Sequence, residues 1–147
     1  MMPIEIQMTD GKSDFMSAIF DLRHEVFVVE QHVPIELEID EFDQEAMHFF
    51  ALQGDQIVGT LRILAEDDHV KIGRVAVKKD HRKLGIGRKI METAMNYIQN
   101  SGYTTIVLGA QLEVVPFYQK LGFVEEGEIF DDAGIDHIMM VKRVNHG

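Results

Sequence analysis

The sequence predicts an α+β protein, one sheet with helices packed on its faces. Two observations carry this. Strand-like and helix-like periodicities follow one another in the order β-α-β-β-β-α-β-α-β-β, without a repeat, linker or low-complexity tract. The chain also has 147 residues, 46% hydrophobic and 27% charged, which suits one domain around one core, expected over residues 1–147.

The first strand is "EIQMT", residues 5–9. Phe15, Ile19, Leu22, Val26 and Val29 then recur every three or four residues and predict an amphipathic helix. Residues 33–44 read as an irregular acidic segment with Pro34 near its start. "AMHFFALQ" (46–53) is a strand, "GDQ" (54–56) a turn, and "QIVGTLRILAE" the returning arm of a hairpin. A polar turn at 67–69 leads to the strand "VKIGRVAV", 70–77. Ile86, Ile90, Ala94 and Ile98 mark the buried face of a helix that opens at Gly85 and Gly87 and stops at Gly102. A β-branched strand (104–110), a short helix (113–121), a turn at "LGF" (121–123) and strands near 124–130 and 137–141 complete the chain.

Composition excludes several chemistries. Without cysteine there is no disulfide, thiolate metal site or cysteine nucleophile. The histidines are scattered without metal spacing, so no metal is expected. Serine occurs only at Ser13, Ser17 and Ser101, and no G-x-S-x-G elbow exists. A net charge of −11 speaks against nucleic acid as a partner. No apolar run approaches the roughly 20 residues that span a bilayer. The opening ten residues alternate like a strand rather than a signal segment, so no membrane and a cytoplasmic location are expected.

Against that acidity, Lys78, Lys79, Arg82, Lys83, Arg88 and Lys89 gather around two glycines at a helix start. A strand, a glycine loop and a helix N-terminus form a device for holding phosphate: free N–H groups point outward and the helix dipole favours negative charge. The loop is neither a Rossmann fingerprint, since Ile90 stands where a third glycine belongs, nor a Walker loop.

"RKLGIG" (82–87), preceded by "RVAV" (74–77) and followed by "AQLEVVPFYQKLGF" (110–123), resembles the R/Q-x-x-G-x-G/A region of the GNAT (GCN5-related) N-acetyltransferases. "LRHEVFVVEQ" and "DEFDQEAMHF" are similar to a bacterial subgroup, the YjcF-like or ElaA-like proteins. The resemblance covers nearly the whole chain. It implies the acyl-CoA N-acyltransferase fold: a mixed, mostly antiparallel sheet splayed between strands 4 and 5, helices on both faces, and acetyl-CoA in the split. It implies that the backbone of Val75, Ala76 and Val77 meets the pantetheine arm. N–H groups across Arg82, Lys83, Leu84, Gly85, Ile86, Gly87 and Arg88 would cradle the pyrophosphate, with Gln111 and Phe117 also near the cofactor. Tyr118 falls where the family often places the proton donor to the departing thiolate.

Candidates for the base are Glu30, Asp43, Asp40 and His48, or water between them. Glu30 and Asp43 are the catalytic choices. Asp40, His48, Arg23 and Arg74 are assigned to the acceptor side. Arg23 and Glu30, seven apart, are expected on one helix face, and Arg74 is expected to pair with Asp40 or Asp43. The acidic run from Glu36 to Glu45 reads either as a solvated loop or as an attractor for a cationic amine. The expected function is acetyl transfer from acetyl-CoA to a primary, small cationic amine by direct attack, in a monomer or homodimer. Alternatives are a non-catalytic acyl-CoA-binding or sensing domain on the same fold, and an interaction module without cofactor.

Overall fold

The computed structural model describes residues 3–144. Seven strands form one sheet: β1 (Ile4–Asp10), β2 (Met47–Gln53), β3 (Gln56–Ala65), β4 (Val70–Val77), β5 (Thr105–Gln111), β6 (Val124–Asp132) and β7 (Ile135–Arg143). Their order is β1-β2-β3-β4-β5-β7-β6, and only β4 and β5 run parallel. The sheet is therefore mixed and mostly antiparallel, as expected.

The helices are α1 (Phe15–Arg23), α2 (Ile35–Glu38), α3 (Ile86–Asn100) and α4 (Val115–Lys120). They lie on both faces because alternate strand residues point in opposite directions. Phe49 joins the cluster with Ile90, Met91 and Ile98 of α3, while Phe50 joins Met16, Ile19 and Leu22 of α1. α3 seats closely because Gly59 leaves room: a Cβ there would lie 2.7 Å from Ile90 Cδ1. This contact holds the first turn of α3 against the sheet beside the end of β4.

The first helix departs from its predicted form. α1 ends at Arg23 and continues as a π-helix, His24–Glu30. A π-turn bonds i to i+5, so the 3.6-residue spacing that predicted one face breaks down. Val29 is accordingly 58% exposed. Arg23 and Glu30 do not share a face: Arg23 is buried, and Glu30 reaches the glycine loop. The acidic segment is not plainly irregular either. It forms α2 and a 3₁₀ turn at Glu41–Gln44, the latter closed by a capping box between Asp40 and Asp43.

Candidate active site

β4 and β5 pair through only three positions, Val70↔Ile106, Lys71↔Val107 and Ile72↔Leu108. Beyond Ile72 and Leu108 the strands part. β5 continues along β7 as far as Gln111↔His137, and β4 continues along β3 as far as Val77↔Gly59. A bulge loosens β4 at the same place. Arg62 opposes Gly73 and Thr60 opposes Ala76, so Arg74 and Val75 together face Leu61. Arg74 takes φ +53°, a conformation that a non-glycine residue adopts only when its surroundings impose it. They do: Arg74 Nε donates to the Glu38 carbonyl at 3.1 Å, and Nη2 donates to the Leu37 carbonyl and to Asp40 Oδ2, each at 3.3 Å.

The parted strands open a cleft of about 1450 Å³. Its wall includes Val75, Ala76 and Val77 of β4, Gln111 of β5, and Phe117 and Tyr118 of α4. Gln111 Nε2 donates to Gln31 Oε1 at 2.9 Å, which ties β5 to the chain after the π-helix.

At the far end of β4 the chain turns through the basic loop into α3. Arg82, Lys83, Gly85, Ile86, Gly87 and Arg88 all line the cleft; Leu84 is exposed but not on its wall. Lys83 (φ +66°) and Gly85 (φ +83°) both adopt left-handed backbone, an ingredient of anion-binding nests. The first bond of α3 runs from the Lys89 N–H to the Gly85 carbonyl, 3.0 Å, leaving the N–H groups of Ile86, Gly87 and Arg88 ahead of the ladder.

The loop's charge is partly answered within the protein. Arg82 forms a forked pair with Glu30 at 2.7 and 2.9 Å and donates through Nε to the Val77 carbonyl at 3.0 Å. Lys78 meets Glu25, and Arg88 meets Glu92. The hydrogen bond from Arg82 holds the Glu30 carboxyl below the usual carboxylate range.

Tyr118 is 7% exposed, its ring edge-to-face with Phe117 and Phe123. Its hydroxyl is not among the fully buried polar atoms lacking a partner, which for the described residues are Ser13 Oγ and Arg62 Nε. Burial pushes the phenol up to about 12. Its hydroxyl therefore stays protonated through neutral pH.

Between α1, α2 and the β3–β4 pair, three arginines interlock with three carboxylates. Arg23 Nε donates to Glu38 Oε1 and Nη1 to Asp43 Oδ1, both at 2.7 Å. Arg62 bridges Asp40 Oδ1 at 2.6 Å and Asp43 Oδ1 at 2.9 Å, while Arg74 holds Asp40 and the carbonyls of α2. Burial alone would raise Asp43, but bonds from Arg23, Arg62 and the Asp40 N–H bring it down to about 2. Asp40 is lowered in the same way against its burial, chiefly by Arg62. His48 is buried, and its Nε2 lies 2.9 Å from the Asp43 carbonyl; burial lowers its pKa.

Several assigned residues therefore stand elsewhere than expected. Asp43, Arg23 and His48 do not reach the cleft wall, and neither does Glu30. Asp43 is 1% exposed and held by two guanidiniums, so it is a structural anion; it is not placed to take a substrate's proton. Arg23 and His48 are buried in the same internal network, each bonded to Asp43. Asp40 and Arg74 do line the cleft, paired to each other as expected. Two residues of the network, Glu38 and Arg62, carry no sequence assignment. The signal for Arg62 was present: one cation inside the apolar strand "IVGTLRIL" requires a buried partner. Among the described residues, no group of three or more histidines or acids is placed to hold a metal ion.

A family model described as an acetyltransferase (GNAT) domain matches residues 9–144. The chain belongs to the GNAT acetyltransferase family. YjcF, an uncharacterized N-acetyltransferase of Bacillus subtilis, is 41% identical over 124 residues, 84% of this chain and 89% of its own. The crystal structure of Escherichia coli ElaA superposes with a TM-score of 0.86 at 32% identity, covering 95% of this chain and 99% of that one. An acyl-CoA N-acyltransferase from Pseudomonas aeruginosa gives 0.87 at 30% identity, with the same coverage. This GNAT domain thus matches the YjcF/ElaA-like subgroup, and the parting of β4 from β5 is the splay that its motifs implied.

Proposed function

We propose that this enzyme transfers an acetyl group from acetyl-CoA to a small primary amine by direct attack. The observation that carries the reading is the fork: an unpaired β4 edge leads from a glycine-rich helix N-terminus to a buried phenol on the cleft wall. A thioester on a long polar arm with a pyrophosphate fits each part. N–H groups ahead of the α3 ladder suit the phosphates, and the edge at Val75–Val77 suits an extended amide arm.

The chemistry follows from the side chains. An alkylammonium, with a pKa of roughly 10.4, first loses one proton. Glu30, Asp40 and Asp43 are each engaged by arginine rather than free to keep that proton, so it leaves through water to bulk solvent and the neutral amine is the attacking species. The amine nitrogen then attacks the thioester carbon, the C–S bond breaks, and the nitrogen's second proton ends on sulfur. A phenol near 12 does not protonate a thiolate of roughly 8.5 by itself. Tyr118 therefore donates a hydrogen bond to the departing sulfur and relays the proton that the nitrogen sheds.

The acceptor is cationic before it reacts. Glu38, Asp40 and Asp43 are matched by Arg23, Arg62 and Arg74, so this inner group offers no net attraction. The exposed carboxylates on the cleft wall, Glu45, Glu66, Glu113 and Asp132, remain to draw a cation in, weakly at physiological salt.

The test is a CoA-release assay over polyamines, amino sugars, arylalkylamines and peptide amines. Turnover of at least one amine is expected. CoA binding without turnover across the panel would favour a sensing domain, and absence of CoA binding would remove both readings.

Glycine substitutions probe the donor end. Gly85→Val forces a β-branched residue to φ +83°, and Gly87→Val crowds Phe117 and Val77, each 3.5 Å from the position of an added Cβ. Both variants should lose acetyl-CoA binding in calorimetry while remaining folded. Parent-like affinity in both would take the loop out of the site.

A further inference from the structure

Gly73 and Gly109 are the first residues past the fork, one on each strand, directly after the last pair Ile72↔Leu108. Both line the cleft. The fold asks for neither glycine. Neither adopts a positive φ, and an added Cβ would lie 4.0 Å from Arg62 Nε at Gly73 and 3.5 Å from Phe130 Cζ at Gly109, both ordinary contacts. Glycine inside a strand weakens it, and it often marks a place where a ligand comes close. Two such residues facing one opening keep a slot clear.

The slot belongs to the acceptor rather than the donor. The proposed phosphate-binding end lies beyond Val77, and Gly73 is four residues back along β4, on the far side of the bulge at Arg74 and Val75. Its walls carry apolar groups beside the Arg62 guanidinium, whose Nε is the nearest atom to Gly73. On the β5 side, Phe130 stacks on His137 with ring centroids 5.8 Å apart, and both rings lie against Gly109. Elsewhere on the cleft wall, Leu37 of α2 and Phe42 of the 3₁₀ turn are 53% and 45% exposed, large apolar side chains left uncovered by the protein itself. The adjoining arginines and carboxylates balance one another, so no strong field selects a polycation.

We infer that the fork between Gly73 and Gly109 receives a flat apolar body, and that the acceptor is an arylalkylamine rather than a polyamine or aminoglycoside. This rests on the transferase reading above and narrows its acceptor.

The experiment compares 2-phenylethylamine with spermidine, by CoA release and by calorimetric binding with CoA present. Phenylethylamine should have the higher kcat/KM. Gly73→Ala and Gly109→Ala should each raise its KM roughly tenfold or more, the usual effect of one methyl group in a fitted apolar site. KM for acetyl-CoA should stay within about twofold, and thermal midpoints should match or exceed the parent's, since alanine suits a strand better than glycine. Preference for spermidine, parent-like KM in both variants, or lower midpoints in both would overturn the inference. Phenylethylamine binding that the alanines abolish, without turnover, would sustain the slot and sink the transferase reading. Turnover of spermidine without phenylethylamine binding would do the reverse.

Discussion

Tyr118→Phe should lower kcat by roughly 10²–10⁴-fold, the range expected when a positioned proton donor is lost. The ring stays, so its edge-to-face contacts with Phe117 and Phe123 are preserved and the fold should be unaffected. Acetyl-CoA affinity should change little, because the proposed phosphate site at the α3 N-terminus does not involve the phenol. Burial keeps the hydroxyl protonated up to about 12, so the parent enzyme should show no loss of activity from this group through pH 9. The measurement is steady-state kinetics at saturating acetyl-CoA with an amine identified in the panel. A phenylalanine variant with parent turnover would reduce Tyr118 to a packing residue.

Asp43→Ala should cost the fold about 3–5 kcal/mol, the range for breaking a buried ion pair by removing one partner. Its carboxylate accepts from Arg23 and Arg62, and both guanidiniums would be left buried beside too little negative charge. Against a total stability of roughly 5–15 kcal/mol the loss is large. Urea unfolding should therefore show a much lower midpoint, and a shift below about 1 kcal/mol would show that the network contributes little.

The same group predicts acid lability. Asp43 is held near 2 in the fold against an ordinary 3.8, so the unfolded chain takes up its proton first. Its contribution is complete above about pH 4 and fades as pH falls toward 2. His48, lowered by burial, acts in the same sense at higher pH: the unfolded chain protonates below about 6.5, and stability declines from there. Parent stability should fall through both windows, and Asp43→Ala should flatten the lower one. A stability curve level from pH 7 to pH 3 would contradict both assignments.

Much of the glycine-loop end of the cleft was legible in the sequence because its requirements are local. A strand, a turn with Gly85 and Gly87, and a helix with apolar residues every four positions lie within some thirty consecutive residues, and local periodicity and glycine chemistry determine them. The β order, the helix starting at the glycines, and Tyr118 on a short helix after β5 follow from the same kind of signal. The arginine–carboxylate network was not legible in this way. Arg23, Glu38, Asp43 and Arg62 come from four separate segments, up to 39 residues apart between Arg23 and Arg62, and only packing brings them together. A run of acids has the same composition whether solvated or clamped by arginine, so Asp43 read as a base and proved a buried counter-ion.

The sequence by itself determined the element order, the glycine loop's suitability for an anion, and the family. The tertiary structure alone decided three other things. The π-turn after Arg23 separates Arg23 from Glu30, because a change of hydrogen-bond period leaves no mark in apolar spacing. The arginine network neutralises the inner acids, because charge compensation depends on distances between segments rather than on counts. And the fork opens after Ile72 and Leu108, because strand pairing is a relation between two chains of residues and is written in neither one.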